Sequence, residues 1–72
     1  MILSALKETN KYEKRVAITP ESVKLFKRLN IEILIEKGAG LSSGFIDSQY
    51  EQNDAKIVSR EKCLEADICL GV

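Results

Sequence analysis

Four short apolar runs, at residues 2–6, 31–35, 55–58 and 67–72, are separated by three stretches that carry helix signals, and this alternation limits the chain to few folds. Residues 31–35, Ile-Glu-Ile-Leu-Ile, are β-branched and nearly continuous and read as the strongest strand. Between the runs, Thr19-Pro20-Glu21 reads as N-cap, first-turn proline and first-turn acid. Asp47 and Ser59 are placed to cap two shorter helices, one running to Asn53 and one over residues 60–65. Strand, helix, strand, helix, strand, helix, strand predicts a parallel sheet with right-handed crossovers. The expected fold is α/β, a partial Rossmann-like (flavodoxin-like) sheet of about four strands alternating with three helices.

In the first helix, Val23, Phe26 and Leu29 recur three apart, with Leu25 paired to Leu29 on one face and Lys24, Lys27 and Arg28 outward. Asn30 then suits the left-handed position that closes a helix. Tyr50 is expected inward from the second helix, and Leu64 with Cys63 from the third. The last strand ends on the final residue, whereas parallel sheets are covered on both faces and continue into further units. The expectation is therefore a single incomplete domain over residues 1–72.

Seventy-two residues make one small domain of marginal stability, since a chain this short buries only about 60% of its unfolded surface. Eleven basic and eleven acidic residues leave no net charge to attract nucleic acid or an acidic membrane. No apolar stretch approaches the roughly 20 residues of a membrane span. A cytoplasmic chain without direct membrane insertion is expected. Histidine is absent, which removes the commonest general base and metal ligand, so a self-contained histidine-dependent centre and a metal site are not expected. Cys63 and Cys69 stand six apart, the spacing of neither a metal-binding pair nor a secreted disulfide framework, and read as reduced core thiols.

Two stretches invite a binding role. Gly38-Ala39-Gly40-Leu41-Ser42-Ser43-Gly44 follows a strand, as a dinucleotide-binding turn would, with Ser59-Arg60 after the next strand where a 2′-phosphate partner would lie. However, residues 42–46 delay the next helix and the third glycine is one residue late, so a flexible connection is the better reading. The second stretch is the connection of about a dozen residues from Lys7 to Ile18, longer than the usual strand-to-helix link. Arg15 stands on it, leaving the first strand, and a guanidinium there could clamp a carboxylate through two parallel hydrogen bonds. The competing reading pairs Arg15 with Glu8 or Glu13 at the surface. Lys24, Lys27 and Arg28 make an ordinary solvated face, and the aromatics are too scattered for a base-stacking platform.

At Glu8, residues 13–20 (Glu-Lys-Arg-Val-Ala-Ile-Thr-Pro), Ser22-Val23 and residues 36–40 (Glu-Lys-Gly-Ala-Gly), the sequence resembles the amino-terminal segment shared by alanine dehydrogenases and the alpha subunit of proton-translocating NAD(P) transhydrogenase. The resemblance spans essentially the whole chain. It departs at Ser4, Ala5 and Leu6, where the family has Gly, an aliphatic residue and Pro, at Tyr12 for Asn, at Asn30 for Gly, and at Gly71 for Lys.

In alanine dehydrogenases the arginine matching Arg15 holds the substrate carboxylate, helped by a lysine, a histidine and an aspartate further along than residue 72. Transhydrogenases bind NAD(H) in a following domain and pass hydride to NADP on another component. The resemblance thus implies NAD and NADP as cofactors of a whole oxidoreductase, none bound by these residues alone, and no catalytic residue within them. Residues 41–45 and the Asn-Lys-Tyr-Glu-Lys-Arg loop lean toward the transhydrogenase alpha subunit, whose remaining segments and beta subunit would be the partners, at the inner face of a membrane. A homodimer is also compatible. An alanine dehydrogenase fragment is the alternative, and a remnant or interaction module without activity is a third reading.

Overall fold

The computed structural model describes residues 1–9 and 16–71. Four parallel strands, β1 (Ile2–Ala5), β2 (Glu32–Glu36), β3 (Lys56–Val58) and β4 (Ile68–Leu70), form one sheet in the order β3-β2-β1-β4. This matches the first four strands of the 3-2-1-4-5-6 order of a doubly wound dinucleotide fold. The helices are α1 (Pro20–Arg28), α2 (Asp47–Glu51) and α3 (Arg60–Leu64), with a 3₁₀ turn at Leu41–Ser43. The expected α/β alternation is the observed one, with strand limits moved by one or two residues. None of the described helices is long and apolar enough to cross a membrane.

Register explains the core. Leu3 pairs with Ile33 and Ala5 with Ile35, so these four side chains share one sheet face. They cluster there with Val23 of α1, Tyr50 of α2, Ile18, Ala39 and Ala55. The alternate positions, Ser4 and Leu34, point to the other face and are buried too. Ser4 Oγ donates to the Cys63 carbonyl at 2.7 Å, so α3 covers that side. Burial on both faces is why β1 and β2 read as continuous apolar runs.

The caps hold the helices in place. Thr19 Oγ1 accepts from the Ser22 amide at 3.2 Å and Ser59 Oγ from the Lys62 amide at 3.3 Å, as the sequence predicts. Asp47 does not cap α2. It is the first helical residue, its carboxylate accepts from the Gly38 amide at 2.9 Å, and Gln49 Oε1 takes the Ile46 amide at 2.8 Å instead. Both α1 and α2 close with the same pair of bonds. Asn30 at φ 60° donates to Lys27 while Ile31 donates to Phe26, and Asp54 at φ 73° donates to Glu51 while Ala55 donates to Tyr50.

Three inward assignments need correction. Leu25 and Leu29 are 59% and 68% exposed because they lie on a different stripe from Pro20 and Val23, the residues α1 buries. In α3, Cys63 is fully buried while Leu64 is 58% exposed, since five residues are too short for one apolar stripe to select a face. Cys69 is free, as Cys63 is, but only half-buried on the edge strand β4.

Candidate functional site at the carboxyl rim of the sheet

The carboxyl ends of the strands carry most of the polar organisation, and in open α/β sheets this is the edge where ligands bind. Lys7, one residue beyond the last ladder bond of β1 (Leu6 N–H to Leu70 O, 3.0 Å), donates its amide to Glu36 Oε1 at 2.6 Å. Arg60, the first residue of α3, reaches back across the end of β2. One of its guanidinium nitrogens donates to the Lys7 carbonyl at 2.7 Å and lies 3.2 Å from Glu36 Oε1. The side chain of Glu36 is mostly shielded, at 15% exposure, whereas that of Arg60 is 40% exposed. Lys7, Glu36 and Arg60 thus tie the ends of three adjacent strands into one closed set of bonds.

The long connection out of β1 is secured at its far end as well. The Ile18 carbonyl accepts from the buried Tyr50 hydroxyl at 2.7 Å, and Thr19 caps α1. Beside this end is an open cleft of about 290 Å³ lined by Thr19, Pro20, Glu21, Phe45 and Gln49. Arg15 lies between the two secured ends in sequence, but with Tyr12 and Glu13 it is outside the described residues. Its pairing with Glu8 or Glu13 is outside them too.

A slightly larger cleft, about 310 Å³, opens at the opposite edge of the sheet, between Lys27, Asn30, Glu32, Asp54 and Lys56. Lys56 donates to Glu32 at 2.9 Å, and this hydrogen bond, with the Lys56 charge, holds the Glu32 carboxyl below the usual carboxylate range. The cleft is at the amino ends of the strands and its charged residues are exposed, so the carboxyl rim is the better candidate despite its smaller volume.

The glycine stretch does not fit a dinucleotide. It turns at Gly38 (φ 78°) into a three-residue 3₁₀ turn and not into a helix whose first amides could take a pyrophosphate. A side chain at Gly40 would stand 2.7 Å from the Tyr50 hydroxyl and 2.9 Å from Phe45 Cβ, so this glycine serves packing and not a ligand's approach. Arg60, considered for a 2′-phosphate, is committed to Glu36 and Lys7. Sequence reasoning missed the Glu36–Arg60–Lys7 arrangement. Its signal is a charged residue just at or after each of three strand ends, which becomes informative only once strand order is known.

Comparison with known proteins gives a consistent relationship. Residues 4–72 match the family model described as alanine dehydrogenase/PNT, N-terminal domain. Alanine dehydrogenase 1 of Staphylococcus aureus (strain bovine RF122 / ET3-1) is 40% identical over all 72 residues, as is that of strain Mu50. Among solved structures, a transhydrogenase from Sinorhizobium meliloti superposes with a TM-score of 0.91 at 36% identity, over 96% of this chain and 21% of that one. An L-alanine dehydrogenase superposes with a TM-score of 0.92 at 30% identity, over 97% and 20%. The chain spans about a fifth of the length of the relatives it matches, 19% for the Staphylococcus aureus enzymes.

Proposed function

The chain belongs to the alanine dehydrogenase/PNT N-terminal domain family, and from that premise we propose that it forms the first part of the substrate-binding domain of an alanine dehydrogenase. The supporting observation is the 40% identity to Staphylococcus aureus alanine dehydrogenase 1, which covers the whole of this chain. The fold is compatible with this. The connection carrying Arg15 starts and finishes at the carboxyl rim, and a guanidinium presented there would grip the carboxylate of alanine or pyruvate through paired hydrogen bonds. NAD, the hydride acceptor in this reading, would be held by parts of the enzyme other than these residues, whose glycine stretch does not fit it.

A second reading, the alpha subunit of an NAD(P) transhydrogenase, is favoured by the 36% identity to the Sinorhizobium meliloti structure against 30% for the solved L-alanine dehydrogenase. The loop residues of the sequence lean the same way. Arg15 would then have no amino-acid carboxylate to hold. Exchanging residues 1–72 of Staphylococcus aureus alanine dehydrogenase 1 for this chain separates the two. Retained NAD-dependent deamination of alanine supports the first reading. A folded, NAD-binding exchange protein without that activity refutes it, and recovery of hydride transfer on the equivalent exchange into the transhydrogenase supports the second.

A further inference from the structure

We propose that Cys63 and Cys69 form an oxidisable pair, in which a peroxide converts the Cys69 thiol to a sulfenic acid and Cys63 then closes a disulfide with it. The pair stands apart from the proposed dehydrogenase chemistry and does not depend on it.

Both thiols belong to the α3 side of the sheet. Cys69 is the register partner of Ser4, so these two side chains leave neighbouring strands on the same face. That is the face α3 covers, where Ser4 Oγ donates to the Cys63 carbonyl at 2.7 Å and Cys63 Sγ lies 3.9 Å from the Ala5 carbonyl. Cys63 thus rests on Ser4 and Ala5, whose partners on β4 are Cys69 and Leu70. Adjacent strands run about 4.8 Å apart, and the Cα atoms of a disulfide are about 4.4–6.8 Å apart, so Cys69 stands one strand spacing from the stretch of β1 beneath Cys63. Burial and the Glu36 charge push the Cys63 thiol up, and Cys69 adds to the rise, as a near neighbour does. Only residues 64–68 separate the two along the chain.

Their unequal exposure divides the roles. Cys69, half-buried on the edge strand, is open to a small peroxide, whereas Cys63 is fully buried and is reached only from within. The Cys69 sulfur takes one peroxide oxygen as the O–O bond breaks, and the other oxygen leaves as water. The Cys63 sulfur then displaces the hydroxyl from Cys69, and its own proton leaves with that hydroxyl as a second water. Two thiols are oxidised and one peroxide is reduced. The sequence holds no third cysteine, so Cys63 is the one thiol within the chain that can resolve the sulfenic acid.

The test treats the native 72-residue chain with hydrogen peroxide, blocks the remaining thiols with a maleimide and maps the peptides by mass spectrometry. The expected product is a monomer that has lost both free thiols and about 2 Da, carries a Cys63–Cys69 cross-link, and returns to the dithiol on reduction with dithiothreitol. In Cys63→Ala the reaction should stop at Cys69, with dimedone trapping of the sulfenic acid at least about tenfold above that in the unaltered chain. A Cys69 sulfinic acid, a gain of about 32 Da, beside a Cys63 that stays reduced overturns the proposal. So does a disulfide formed only between two chains or only in urea, or retention of both thiols. These readings use the unaltered chain, so they decide the matter even where Cys63→Ala does not fold.

Discussion

The Tyr50 phenol donates to the Ile18 carbonyl at 2.7 Å, joining α2 to the end of the β1–α1 connection across 32 residues of sequence. The ring is fully buried and stacks edge-on against Phe45, with centroids 6.4 Å apart. Burial pushes the phenol up to about 12, with the Asp47 carboxylate adding to the rise. The folded value lies above the ordinary 10.0, so this contribution to stability is complete below about pH 10 and is lost as pH rises toward 12.

Tyr50→Phe should cost about 1–2 kcal/mol near neutral pH, because the Ile18 carbonyl loses its buried donor. It should also remove the alkaline sensitivity. Urea unfolding of both proteins at about pH 8 and about pH 11 checks this: the gap between them narrows as pH rises. Parallel behaviour at both pH values would show that the hydroxyl is not the titrating link.

The two glycines flanking the 3₁₀ turn should respond differently to alanine. Gly40→Ala forces a methyl into Tyr50 and Phe45, whose displacement would disturb the bond to Ile18, and should cost about 3 kcal/mol. Gly44 has φ 87° and open space around it, so Gly44→Ala pays only the backbone strain of about 1 kcal/mol. Equal losses in thermal melting would contradict this assignment.

Asn30 sits at φ 60° in the turn that closes α1, where glycine has no steric penalty. Asn30→Gly should raise stability by about 0.5 kcal/mol, the relief of strain being partly offset by a more flexible unfolded chain. A lower melting temperature would count against strain at this position.

Thiol labelling should discriminate the two cysteines. Cys63 is fully buried, and burial, followed by the Glu36 charge, pushes its thiol up, while Cys69 is half-buried on the edge strand. Cys69 should therefore react first with a maleimide under native conditions. Mass spectrometry of peptides resolves the order, and equal rates would mean that α3 opens readily from the sheet.

Much of the fold is legible in the sequence because its signals are local. Thr19-Pro20-Glu21, Asn30 and Ser59 mark helix limits through bonds to residues three positions away. What sequence alone misjudges is direction. In α3, fewer than two turns cannot tell Leu64 from Cys63, and the choice is made by Ser4, 59 residues from Cys63, which binds the Cys63 carbonyl. The same holds at the rim. Lys7, Glu36 and Arg60 look like unrelated surface charges until parallel pairing in the order β3-β2-β1 brings the three strand ends side by side. For Arg15 the sequence offers only a place on a long connection, which a surface pairing with Glu8 or Glu13 explains as well, so the proposed carboxylate role leans on family resemblance.

The central claim, that this chain supplies the carboxylate grip of an alanine dehydrogenase, is tested most directly by titrating pyruvate calorimetrically into the NADH-loaded exchange enzyme and its Arg15→Ala variant. The account predicts saturable binding that weakens by about 100-fold or more in the variant, the loss expected when a charged, doubly hydrogen-bonded partner is removed. Equal affinity in the two proteins, both folded and both retaining NADH, would contradict it.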